Sequence, residues 1–223
     1  MNFKTLFIVM FAMIWNKSQA QISLHPFIGG NLNTVQDFDN QEVNDIFKPL
    51  AAIHFGAGID IPLSKRVSIE PILRFNQKGY SFSAQGKDYW DIEFVQKGYY
   101  KLSVIEMPIL VNFNTTYKKM KITYSIGPYV GYAVALRAQS SYKSEYYNEE
   151  YDSNSDPYFM EKEVMNGINR SDFGLILGTQ VELNNFTLGF HGQMSAQNLY
   201  GKLTENANKH MSLQLTLGYE FKL

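Results

Sequence analysis

The sequence predicts an all-β protein, a closed antiparallel transmembrane β-barrel of eight strands with up-and-down topology. Three observations predict it. From Gln21 onward apolar residues recur with period two, the connections between strand-like segments alternate between long and short, and the polar face of those segments is rich in glycine. Side chains of a strand point alternately to opposite faces, so this period means strands with one apolar and one polar side.

The first twenty residues follow a different pattern. Lys4 lies in a short polar start, an apolar run extends from Leu6 to Trp15, and small residues close the segment at Ser18-Gln19-Ala20. This is the pattern of a signal peptide, 1–20, which leaves 21–223 as the barrel domain and Gln21 as the first mature residue. The run is too short for an anchor helix, and nothing after it approaches the ~20 apolar residues that a spanning helix needs. Cysteine is absent, which excludes a disulfide framework, thiol catalysis and an N-terminal lipid. A formal net charge of -1 gives no footing for nucleic acid.

The strands fall near 22–33, 50–62, 66–83, 100–115, 121–139, 170–184, 186–199 and 209–223. In the second, Ile53, Phe55, Ala57, Ile59 and Ile61 alternate with His54, Gly56, Gly58 and Asp60. The fifth sets Ile122, Tyr124, Ile126, Pro128, Val130, Tyr132 and Val134 against Thr123, Ser125, Gly127, Gly131 and Ala133. The sixth alternates from Asp172 to Leu183, and the last is the clearest, with Met211, Leu213, Leu215, Leu217, Tyr219, Phe221 and Leu223 on one face. Turn residues bound the remaining segments.

Connections are long at 34–49, short at Leu63-Ser64-Lys65, long at 84–99, short at 116–120, long at 140–169, tight at Asn184-Asn185 and intermediate at 200–208. Long loops therefore gather at one end, as in bacterial outer-membrane barrels, where short turns are periplasmic and long loops extracellular. An even strand number returns both termini to the periplasm. Closure follows because an open edge in lipid would strand backbone groups at several kcal/mol each. A soluble barrel would put its apolar face inside. The polar face instead carries Gly29, Gly56, Gly58, Gly127, Gly131, Gly174, Gly178, Gly189 and Gly218, which suits a crowded interior.

Five segments resemble the PorT-like outer-membrane β-barrel family of Bacteroidota-type bacteria: VSIEPILRFNQKGYSF at 67–82, LSVIEMPILVNF at 102–113, YSIGPYVGYAVAL at 124–136, DFGLILGTQVEL at 172–183 and LQLTLGYEFKL at 213–223. Within them Glu70 followed by Lys78-Gly79, Glu106-Met107-Pro108, Gly127-Pro128-Tyr129, and Asp172-Phe173-Gly174 with Gly178 carry the likeness. The resemblance implies an outer-membrane barrel of this size; some such proteins are linked to secretion and gliding machinery. Many outer-membrane barrels end in an aromatic residue read by the assembly machinery, whereas here Leu223 is last and Phe221 stands two before it.

Glu70, Arg74 and Lys78 share the polar face of the third strand and Glu106 that of the fourth, and counting from the short turns puts Arg74 level with Glu106. An ion pair is expected there, because an isolated charge inside a narrow barrel is costly. The competing reading is an ion path, but an eight-stranded interior is generally just wide enough for side chains to fill it. His25, His54, His191 and His210 stand at different heights, which disfavours a shared metal. Ser195 and His191 are four apart on one strand, ~13 Å at standard rise, and form no catalytic pair. No catalytic residue, cofactor or metal site is expected.

The longest loop sets Glu145, Glu149, Glu150, Asp152, Asp156, Glu161 and Glu163 against Lys143 and Lys162, interleaved with tyrosines. Tyr146, Tyr147, Tyr151, Asp152 and Asp156 are contact candidates for a partner protein. Asp152, Asn154, Asp156 and Glu163 also match an EF-hand spacing, broken by Pro157 where that loop needs glycine. The expected function is non-enzymatic, a structural or interaction role in the envelope, with a narrow channel or small-solute binder as the alternative. The expected partners are outer-membrane lipid, the assembly machinery, and envelope or secretion proteins.

Overall fold

A computed structural model describes residues 21–37, 46–87, 91–144, 148–152, 169–198 and 208–223. The expected signal peptide at 1–20 lies outside them. The strands are β1 (Ser23–Asp37), β2 (Phe47–Lys48), β3 (Leu50–Pro62), β4 (Val67–Lys87), β5 (Glu93–Tyr117), β6 (Met120–Ser144), β7 (Asn148–Asp152), β8 (Ser171–Leu183), β9 (Phe186–Asn198), β10 (Asn208–Tyr219) and β11 (Phe221–Lys222). Eight of these, β1, β3, β4, β5, β6, β8, β9 and β10, pair in sequence as antiparallel neighbours. β1 also pairs with β10, from Phe27 opposite Gly218 to Asp37 opposite Asn208, so the sheet closes on itself. Closure removes the edges that lipid could not solvate.

Short turns stand together at one end. Leu63 and Ser64 both donate backbone hydrogen bonds to the Val67 carbonyl, and the Ser64 hydroxyl accepts from the Arg66 and Val67 amides. Asn184 and Asn185 both have positive φ, 52° and 69°, the backbone that a two-residue hairpin needs to match the strand twist.

Side-chain direction follows the period-two pattern and is the reverse of a soluble protein. Leu177 is 63% exposed, Leu215 56% and Val130 58%, while Glu106, His54 and Asn76 are each at 0%. Aromatic residues edge the apolar band. Phe186, Tyr219 and Phe221 cluster near the short turns, with ring centroids 5.1 and 4.7 Å apart, and Phe55 stacks on Phe75 at 5.1 Å toward the other end. An outward apolar band flanked by aromatic girdles is the surface that a bilayer solvates.

The central strands correct the expected boundaries. Most of the expected loop at 84–99 and part of that at 140–169 is strand: β4 pairs with β5 up to Lys87 opposite Glu93, β5 with β6 up to Phe94 opposite Ser144, and β7 adds to β6. Beyond the apolar band neither face needs to be apolar, so the alternation fades while the hydrogen-bonded ladder continues. A register shift between Ser103 and Val104, against β6, and Gly79 at φ 153° mark the place where the pattern changes.

Candidate functional site

The polar side chains that face inward meet in the lumen in three layers. Nearest the short turns, Lys121 lies 3.1 Å from Glu220 and 3.3 Å from Glu182, and the Ser23 hydroxyl donates to Glu220 at 2.9 Å. Above this, Glu70 lies 3.0 Å from His25 Nδ1 and accepts from the Asn112 amide at 2.9 Å; His25 Nε2 is 2.9 Å from the Thr187 hydroxyl. Neither His25 nor Asn112 belongs to the four lumen residues singled out from sequence, although the parity of their strands already points them inward.

The third layer brings together three of those four. Arg74 meets Glu106 at 2.7 Å, Lys78 meets Glu106 at 2.5 Å, and Lys78 reaches across to Asp172 at 2.6 Å. Arg74 spends its other guanidinium hydrogens on Gln214 at 2.9 Å and Gln193 at 2.7 Å, on the opposite wall. Asn76 and Gln193 donate to the two Glu106 oxygens at 3.0 and 3.1 Å. Asp172 accepts from Tyr129 and Ser195 at 3.0 and 2.5 Å, and the Lys78 ammonium lies 4.3 Å from the Tyr129 ring centroid. Two cations and two carboxylates thus cancel, and their hydrogen-bonding capacity is used within the cluster. This is the condition under which buried charge is tolerated.

Glycines make room for these side chains. A Cβ on Gly58 would strike the Glu70 carboxylate, one on Gly131 would press on Glu106 at 3.1 Å, and one on Gly178 would meet the His191 ring. Two small cavities remain among these side chains: one of about 30 Å³ beside Glu70 and His191, and one of about 20 Å³ lined by Lys78, Asp172, Ser195 and His210. Each has space for a water or two.

Between these layers Ile72, Leu110, Tyr129 and Ile176 form a buried apolar cluster, and a second one lies above the charges. Val35, Tyr80, Leu102, Val104 and Ala133 pack together inside the wall, joined by Phe47, Phe82, Tyr100 and Leu136. Among the described residues no group of three His, Cys, Asp or Glu could hold a metal. The Ser195 hydroxyl donates a hydrogen bond to Asp172 and accepts one from the Gln197 amide, with no histidine among its hydrogen-bond partners in the described residues. Of the loop candidates, Tyr146, Tyr147 and Asp156 lie outside the described residues. Tyr151 and Asp152 stand on β7, opposite Ser140 and Gln139.

An eight-stranded closed sheet, greasy outside and polar inside, defines a small transmembrane β-barrel. The chain belongs to the family described as outer membrane protein beta-barrel domain, which it matches over residues 17–201, and it is an integral outer-membrane protein. No curated protein sequence matches it. Among solved structures it is similar to Ail, the attachment invasion locus protein of Yersinia pestis, at 13% identity, covering 91% of this chain and 100% of that one with a TM-score of 0.39. It is also similar to Neisserial surface protein A, at 6% identity over 89% and 97% of the two chains with a TM-score of 0.40. A third is the translocator domain of the autotransporter NalP from Neisseria meningitidis, at 8% identity over 98% and 95% with a TM-score of 0.36.

Proposed function

We propose that this barrel is a non-conducting, non-enzymatic scaffold of the outer membrane that acts through the surfaces standing outside the bilayer, in contact with other envelope proteins. Residues 1–20 serve as the signal peptide, both termini are periplasmic, and the β4–β7 extension is extracellular. The PorT-like segments make a secretion-associated role the specific form of this reading. Contact would fall to the tyrosine-rich, acidic stretch around Tyr146, Tyr147, Tyr151, Asp152 and Asp156, since aromatic side chains dominate binding energy at protein interfaces.

The observation that carries this reading is the filled lumen. Arg74, Lys78, Glu106 and Asp172 lock together across it, and an apolar cluster of Tyr80, Leu102 and Val104 packs on the inner wall above them. An ion crossing the lumen would have to displace these paired charges. Reconstitution in planar bilayers tests it: the wild type shows no steady current, whereas a stable unitary conductance establishes the narrow-channel alternative. For the loop, deletion of 145–163 abolishes capture of a partner, and a partner held equally well without it excludes that loop as the contact.

A further inference from the structure

The facing segments 95–103 of β5 and 135–143 of β6 contain Lys97, Lys101, Arg137 and Lys143, and no aspartate or glutamate. Lys101 and Arg137 stand directly opposite each other across the two strands, while Lys97 faces Ser141 and Lys143 faces Val95. Strand parity puts all four on the outward face: on β5 they continue the row of Ile105, Met107 and Ile109, and beyond the register shift at Ser103/Val104 the odd-numbered residues of β6 face the same way. Like charges directly opposite one another repel, so such a pair is destabilising unless an anion lies between them. Among the described residues none of the four takes part in an ion pair. The acids of β7, Glu150 and Asp152, stand opposite Ser141 and Gln139, on the strand that flanks β6 and with β6 between them and the lysines of β5.

Height supplies the anion. Ile105 and Tyr132 are register partners and the last large apolar pair on this hairpin, 41% and 53% exposed. Lys101 comes four residues later, which at ~3.3 Å rise and ~40° tilt is roughly 10 Å along the barrel axis. That is the depth at which lipid headgroups replace hydrocarbon, and a lysine stem can bend back toward it. Beside the pair, β4 presents Gly79 opposite Lys101, so no side chain covers the lysine on that flank. Tyr99 adds an aromatic ring whose centroid lies 5.8 Å from the Lys101 ammonium.

We propose that Lys101 and Arg137, with Lys97 above them, form a binding site on the outer wall for the phosphorylated headgroup of an outer-leaflet lipid. The guanidinium of Arg137 takes a phosphate through paired hydrogen bonds and the Lys101 ammonium neutralises it from the facing strand. The natural source depends on the extracellular placement of this end, put forward above; the chemistry of the site does not.

The test uses the full mature barrel in phosphatidylcholine nanodiscs doped with either bis-phosphorylated lipid A or its dephosphorylated form, with retained glycolipid counted by native mass spectrometry. The wild type retains the phosphorylated lipid about 30-fold better, the effect of two cations at an anionic surface. The Lys101→Gln/Arg137→Gln variant loses that preference, and Lys65→Gln/Arg66→Gln at the opposite rim keeps it, each first checked for the boiling-dependent gel shift of a folded barrel. Equal retention of the two lipids by the wild type overturns the proposal without any variant. So does displacement of lipid A by millimolar inorganic phosphate, which would mark a general anion site. Because nanodiscs offer the lipid to both rims, an inverted orientation in cells would leave this result intact, so the two readings fail separately.

Discussion

One side of the wall is much taller than the other. β8, β9 and β10 run for 13, 13 and 12 residues, whereas β4, β5 and β6 run for 21, 25 and 25. A tilted strand needs ~9–11 residues to cross the hydrocarbon, so the short strands end about where the lipid does and the long ones continue into water. On β10 the outward residues are apolar from Met211 to Tyr219. On β5 they change from Ile105 to Lys101 and Lys97, while the inward residues change from Glu106 to Val104 and Leu102. A single sheet therefore carries two solvation patterns, which differ most on its outer face. Where lipid surrounds it, the outward side chains are apolar and the inward ones combine buried charges with the cluster of Ile72, Leu110, Tyr129 and Ile176; above that line the outward face turns polar while Tyr80 and Leu102 form a small core inside.

The comparison can be broken at three places. The largest effect belongs to the lipid-embedded half: Glu106→Ala strips Arg74 and Lys78 of their shared carboxylate and costs about 3–5 kcal/mol, as loss of one member of a buried ion pair does. Urea titration of the barrel in vesicles measures it, and a loss below about 1 kcal/mol would mean that water already reaches these charges. Next, one substitution is placed on the same outward face at two heights. Leu215→Arg, in the apolar band, costs about 2–4 kcal/mol, while Gln139→Arg, above it, changes stability by less than about 0.5 kcal/mol. Equal costs would erase the proposed boundary. The smallest effect comes from shortening the tall side: joining Ser83 to Lys97, which are register partners, through Asn-Gly leaves the unfolding midpoint within about 0.5 kcal/mol of wild type.

The same contrast explains what could be read from sequence. Within lipid the two faces must differ, so Leu213, Leu215 and Leu217 against Gln214 and Thr216 announce the strand unaided. Above it both faces are wet or mixed, and a stretch such as Phe94 to Tyr100 reads as loop although it pairs on both sides. In the lumen, Arg74 and Glu106 sit on neighbouring strands that each border a short turn, at 63–65 and 116–120, so counting residues from those turns brings them to one height. Lys78 with Asp172 and Arg74 with Gln193 and Gln214 span the interior between strands far apart in sequence, and no local count predicts them. His25 with Glu70 belongs to the same class. Such pairs follow only from closure and shear, which depend on all eight strands together.

The most direct measurement exploits the absence of cysteine. Single cysteines at 213, 214, 215, 216 and 217 of β10, each carrying a nitroxide label in bilayers, report whether lipid-soluble oxygen reaches them. High oxygen accessibility at 213, 215 and 217, with low values at 214 and 216, is the result this account predicts. The opposite alternation, or equal accessibility at all five, would contradict it.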